Sequence, residues 1–309
     1  MNKDQRKSLW KKLSPYKYLY LMMIPGIVWL ICFHLLPLYG IQIAFYDYKI
    51  AKGLSGSEFV GFRNFKVIFA NPEFSRLLGN TLKISFLSLI FGFPLPIILA
   101  LSVNTIRKSI FRKGFQTISY LPHFLSWVIV YGISNLLFSG FNGVFSNIFA
   151  SLGIKYTDPT TNADTFIAWL IFQMCWKSMG WGSIIYLAAL SGVDVELYEA
   201  ARIDGASRTR QLFAITLPAI APVCGVVMIL NMGGLLGGHF DQIYQYLQGN
   251  NVDLVRIAET FDIWIFKTGI NGGKYGISAA LDIFRSLVGI VLILTTNYFA
   301  KKLGHRGVW

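Results

Sequence analysis

Apolar residues fall along this chain in six long blocks separated by polar stretches: approximately Tyr18 to Tyr46, Leu78 to Val103, Phe115 to Phe138, Thr165 to Leu190, Phe213 to Leu236 and Gly276 to Ala300. A bilayer core of about 30 Å needs roughly 20 apolar residues as helix, because no water is present there to satisfy bare backbone groups. Every block meets that demand, so the pattern predicts an all-α membrane protein with six transmembrane helices. Pro25, Pro37, Pro94, Pro96 and Pro122 lie in or beside the blocks, which membrane helices tolerate because neighbouring groups take up the freed backbone partners. The first block far exceeds the core of a signal peptide and has no small-residue cleavage site, so it is expected to stay as a span.

Composition strengthens this picture. Hydrophobic residues make up 54% of the 309 and charged residues 14%, against about 25% charged in a soluble domain. The net charge of +13 is not gathered on one polar fold, as a nucleic-acid binder requires. It sits between the apolar blocks, and no nucleic-acid partner is expected. With the N-terminus inside, the inner segments carry Lys3, Arg6, Lys7, Lys11, Lys12 and Lys17, then Arg107, Lys108, Arg112 and Lys113, then Arg202, Arg208 and Arg210, and finally Lys301, Lys302 and Arg306. The outer segments carry nine basic residues against these sixteen, so the positive-inside rule puts both termini in the cytoplasm. The chain then divides into a basic cytoplasmic segment 1–17, a spanning region 18–300 and a cytoplasmic tail 301–309. Cys32, Cys175 and Cys224 each lie inside an apolar block with no CxxC pair, which indicates packing rather than a disulfide framework or a metal site.

The third inner segment, 194–218, is polar and amphipathic between two spans. Asp194 is placed to cap a short helix, Glu196 and Glu199 lie near its positive end, and Gly205 can end it in a left-handed turn. A second short helix from about Ser207 would complete a compact knob, with Ile203, Leu212 and Phe213 available for packing. Such a knob suits docking into a partner's groove.

Within this segment Glu199, Ala200 and Ala201, then Gly205, then Ile215, Leu217 and Pro218 match the EAA signature of permease subunits of binding-protein-dependent ABC importers at every position and spacing. The wording Glu199-Ala-Ala-Arg-Ile-Asp-Gly-Ala-Ser207 resembles the carbohydrate branch of that family. So do Phe59-Val-Gly-Phe-Arg-Asn-Phe65, Asp241-Gln-Ile-Tyr244 and the closing Lys301-Lys-Leu-Gly to Gly307-Val-Trp309, which makes the resemblance nearly chain-long. The resemblance implies a type I ABC importer permease fold in a bacterial cell membrane. It implies a second, similar permease as partner, two cytoplasmic ATPase subunits, an extracytoplasmic solute-binding protein and a carbohydrate, an oligosaccharide, as cargo. Glu199 and Asp204 would contact the ATPase, Gly205 would form the bend, and Ile215, Leu217 and Pro218 would join the knob to the fifth span. The chain has no Gly-x-x-x-x-Gly-Lys-Ser/Thr phosphate loop, and Gly273-Lys274 is followed by Tyr275, so no catalytic residue and no bound cofactor are expected. ATP would be used by the partner subunits.

A sugar path needs hydrogen-bonding groups and flat aromatic faces. Gln173, Trp176, Lys177, Gly180 and Ser183 recur on one face of the fourth span, with Trp181 and Tyr186 near. Lys177 is a functional candidate because an ionisable group within a span is costly unless it faces the bundle interior or water; pairing with another buried group or snorkelling is the alternative. Asn231 and Gly234 are path candidates on the fifth span, although small residues there also serve close helix packing. Asp282 and Arg285, three apart on the sixth, can neutralise one another. An ion-coupled transporter would carry acidic relays within its spans and often two related halves. Neither is evident, and no intramembrane Ser/His pair or His-Glu-x-x-His helix suggests an enzyme. An ABC permease for a non-sugar solute remains the alternative, since the EAA signature is shared across cargoes.

Overall fold

The computed structural model describes residues 14–106, 108–249 and 251–302. The basic residues before Ser14, Arg107, and the closing segment with Arg306 and Gly307 to Trp309 lie outside them. Four helices are long and apolar enough to cross a membrane: α1 (Lys17–Phe45), α3 (Glu73–Asn104), α9 (Arg208–Gly233) and α13 (Tyr275–Lys302). A fifth crossing is formed only if α4 (Ser109–Phe124) and α5 (Trp127–Phe138) act together.

These two helices replace the single straight third span expected from the sequence, because the chain turns by 100° between them. Pro122 has no N–H to continue the helical ladder. Leu125 and Ser126 are extended, and the Ser126 hydroxyl caps the new helix by accepting from the Ile129 N–H at 3.3 Å. Apolar periodicity ran through a break that local backbone chemistry creates.

The central helix is α7 (Ala163–Ser191), 29 residues long and about 43 Å at 1.5 Å per residue. It is not among the helices with an apolar stretch long enough to cross a membrane, because Gln173, Trp176, Lys177 and Trp181 interrupt it. It packs against α3, α4 and α9. At its crossing with α4, Gly180 is required: a Cβ there would overlap the Ser119 carbonyl. Polar residues cross-link the same core. Gln173, 2% exposed, donates to Ser134 Oγ at 2.6 Å and accepts from the Tyr246 hydroxyl at 3.0 Å, joining α7 to α5 and α10 (Phe240–Leu247).

The segments between spans hold the short helices α2 (Arg63–Ala70), α6 (Val144–Ser151), α8 (Val195–Ile203), α10, α11 (Val252–Ala258) and α12 (Phe261–Ile265), with a two-stranded antiparallel ribbon, β1 (Tyr46–Asp47) on β2 (Glu58–Phe59). Asn64 of α2 holds the end of α1 by donating to the Ala44 and Tyr46 carbonyls at 2.8 and 3.0 Å. Buried Glu259 ties α3 to the α11–α12 cap through Arg76 at 2.8 Å and Lys267 at 2.9 Å. The residues of α1 before Tyr39 expose their apolar side chains along the whole helix, and α1 meets the bundle chiefly where residues 39–45 lie on α13.

Candidate functional site

Two regions carry chemistry: the knob between α7 and α9, and a cavity between α3, α7 and α9. In the knob, the Asp194 carboxylate accepts from the Glu196 N–H at 2.9 Å and starts α8. Gly205, at φ +74°, ends it, and the Ala206 N–H returns to the Ala201 carbonyl at 2.8 Å, a helix stop that glycine adopts without the steric cost of a side chain. Glu199, Ala200, Asp204 and Gly205 are all exposed, and Val195, Leu197 and Ile203 present apolar surface beside them, Ile203 at 87% exposure.

The expected second short helix is instead the first turn of α9. Ser207 caps it, accepting from the Arg210 N–H at 3.3 Å, and the helix runs on to Gly233. One wide turn at Leu212–Thr216 takes up an extra residue just before Pro218, whose ring could not fit a regular ladder there. Ile215, Leu217 and Pro218 therefore lie at the root of the span itself. Tyr198, next to Glu199, reaches this root: its hydroxyl is 3.0 Å from Thr216 Oγ1, which in turn donates to the Gln211 carbonyl at 3.3 Å. A threonine hydroxyl has one hydrogen, so with that hydrogen on Gln211 it is the Tyr198 hydroxyl that donates to Thr216. Gln211 Nε2 closes the chain on the Ala206 carbonyl at 2.9 Å.

The cavity encloses about 550 Å³. On α7 its wall is Met174, Ser178, Gly182 and Ile185; on α9, Asn231; and beyond α9, Gly234 and His239. Ser85 and Ser88 of α3 complete it, and neither buried hydroxyl has a hydrogen-bond partner. Burial pushes the His239 imidazole below its ordinary range. Around the loop that carries it, the Gly238 N–H donates to Asp262 Oδ2 at 3.1 Å, and Arg285 of α13 pairs with both Asp262 and Asp282. The expected Asp282–Arg285 pair is thus one half of a triad that anchors the cavity wall.

Of the path candidates read from the sequence, Asn231 and Gly234 line the cavity. Gln173 and Gly180 are buried in packing, and Trp176 is exposed on a different side of α7. Lys177 donates to the His123 carbonyl at the end of α4, at 2.8 Å, and lies 5.4 Å from the Trp127 ring. Ser85, Ser88, Ser178 and His239 were not singled out from the sequence. The pair of serines three apart in an otherwise apolar block was the available signal.

The family of the binding-protein-dependent transport system inner membrane component matches residues 92–304, spanning α7, the knob, the cavity wall of α9 and α13. The chain belongs to this family. Among the relatives of this permease, the polygalacturonan/rhamnogalacturonan transport system permease protein YteP of Bacillus subtilis (strain 168) is 41% identical over 99% of this chain and 95% of its own length. Protein LplB of the same organism is 43% identical over 95% of this chain and 91% of its own. A chain of a bacterial alginate ABC transporter, crystallised in complex with an alginate pentasaccharide-bound periplasmic protein, superposes with a TM-score of 0.86 at 35% identity, covering 97% of this chain and 99% of that one. The permease accordingly has the type I ABC importer fold and is a membrane-embedded transport component.

Proposed function

We propose that this permease forms half of the translocation path of an ATP-driven carbohydrate importer and that its cargo is an oligosaccharide. The observation that carries this reading is the pairing of an exposed docking knob with a cavity on the same two helices, α7 and α9, whose largely apolar wall carries Ser178, Asn231 and His239 as polar groups. Displacement of the knob acts at the root of α9, whose far end brings Asn231 to the cavity. The knob residues Glu199, Ala200, Ala201, Asp204 and Gly205 contact a cytoplasmic ATPase, and Ile215, Leu217 and Pro218 transmit its movement. Asn231 and Gly234, with Lys177 further along α7, border the cargo path, while Gln173 and Gly180 hold that helix in place and Trp176 faces away from the cavity.

In this reading α7 is a sixth span, the two termini 1–17 and 301–309 are cytoplasmic, and 18–300 is the spanning unit. A second permease covers the exposed length of α1 and completes the path. Two ATPase subunits use ATP on the inner side, and a solute-binding protein delivers cargo outside. The cargo class is supported by the relatives, whose names specify polygalacturonan, rhamnogalacturonan and alginate. Purification of the tagged permease from its native membrane, with mass spectrometry of what accompanies it, tests the assembly. Recovery of a second permease, an ATPase and a solute-binding protein is expected; recovery of the chain alone, transporting on an ion gradient, contradicts it.

A further inference from the structure

The cation in the middle of α7 gives a sharper statement about cargo. Lys177, Trp181 and Ile185 recur at four-residue intervals and so share one face of the helix. Ile185, 48% exposed, is part of the cavity wall, and Lys177 and Trp181 continue its face of the helix beyond the lining residues. Around Lys177 the fold supplies aromatic surface: Trp127 lies 5.4 Å from the ammonium, and His123 stacks on Trp181 with ring centres 4.6 Å apart and planes 3° from parallel. Trp181 is itself 47% exposed, with Phe124 edge-on to it at 5.8 Å, so the indole keeps open aromatic surface beside this stack.

What the fold does not supply is a counter-charge. Among the described residues no carboxylate pairs with Lys177, and its one hydrogen bond, to the His123 carbonyl, uses one of three ammonium hydrogens. Arg285, also within a span, is answered by two aspartates, whereas Lys83 of α3, which has no acidic partner among the described residues either, is exposed. An ammonium at membrane depth without an acidic partner is costly, and its attraction for an anion is strengthened by the low-dielectric surroundings.

We propose that Lys177 is a cargo-selecting residue that binds the carboxylate of an acidic saccharide, while the Trp181–His123 platform receives the C–H face of the sugar ring. The inference rests on the carbohydrate-importer reading above and narrows it to uronic-acid oligosaccharides. A carboxylate at Lys177 forms a charge-assisted hydrogen bond and an aromatic face accepts the pyranose, so a ring bearing both features satisfies the stripe where a neutral sugar leaves the charge unanswered.

The test uses the complete importer in proteoliposomes with two probes, trigalacturonate and maltotriose, comparing wild type, K177Q and K177R. Glutamine keeps a donor for the His123 carbonyl and removes the charge, which separates cargo binding from support of the α4 end. The expected result is that K177Q lowers trigalacturonate transport about tenfold or more, that K177R retains most of it, and that thermal stability is unchanged in both. Wild-type transport by K177Q, or equal losses in K177Q and K177R, overturns the role of Lys177. Wild-type transport of maltotriose but not trigalacturonate overturns the inference and leaves the carbohydrate reading standing. Failure of the wild type with both sugars removes the carbohydrate reading itself, and the inference with it.

Discussion

At the scale of single residues, the hydrogen-bonded chain from Tyr198 through Thr216 to Gln211 is the most specific feature of the docking knob. The covalent link between α8 and α9 is only a short turn around Gly205, and with the Gln211–Ala206 bond the Tyr198–Thr216 bond braces it, so this brace is expected to help knob and span move together. Y198F and T216V each remove one hydroxyl at nearly constant volume. In the reconstituted importer they are expected to raise the ATP hydrolysed per cargo molecule several-fold, with T216S close to wild type and the Y198F/T216V double variant no worse than either single one. An unchanged ratio contradicts the brace. Gly205→Val acts on the turn itself: a side chain at φ +74° costs roughly 1–2 kcal/mol, and a β-branched one more. The knob is expected to lose its shape while the spans remain folded, giving normal membrane insertion with little transport.

At the scale of elements, the buried cross-links predict stability rather than transport. Glu259, with 7% of its side chain exposed, holds Arg76 and Lys267 together, and E259Q leaves Lys267 without its anion and Arg76 with only the exposed Glu73. A loss of about 1–3 kcal/mol is expected, read as a lower midpoint in detergent thermal unfolding. Q173L removes the hub that joins α5, α7 and α10 and is expected to cost a similar amount. Much of this organisation was legible in the sequence where a single element carries its own signal. The long helices follow the apolar blocks to within a few residues at most ends, and the Asp194 cap and Gly205 stop are where the residue types place them. The break between α4 and α5 was hidden because Leu121 to Trp127 keeps the apolar composition of a span while Pro122 and the Ser126 cap redirect the backbone. The second knob helix merged into α9 because the wide turn at Leu212–Thr216 accommodates Pro218 without ending the helix. The cavity was legible only in part. Asn231 and Gly234 announced themselves as polar or small residues in an apolar run, but the wall contributed by Ser85, Ser178 and His239 depends on three helices meeting, and no local pattern encodes that meeting.

At the scale of the whole molecule, α1 is the least integrated part. Its apolar side chains before Tyr39 are open along its length and its main seat on the bundle is the short stretch 39–45 against α13, and the buried cores draw on α1 only there, at Ala44 and Phe45. Deletion of residues 1–38 is therefore expected to leave a folded, membrane-inserted bundle that fails to pair with a second permease, visible as loss of co-purification. Retained pairing contradicts the proposed covering of α1. The same logic links knob and cavity, since α9 is rooted at one and contributes Asn231 to the other with one helix of 26 residues, Arg208–Gly233, between.

That linkage is tested most directly by measuring saccharide transport and ATP hydrolysis together in proteoliposomes holding the complete importer and its binding protein, for wild type and Gly205→Val. The account predicts that cargo-loaded binding protein stimulates hydrolysis and uptake in the wild type, and that the variant assembles yet takes up at least tenfold less saccharide. Full uptake by an assembly carrying the altered knob would contradict it.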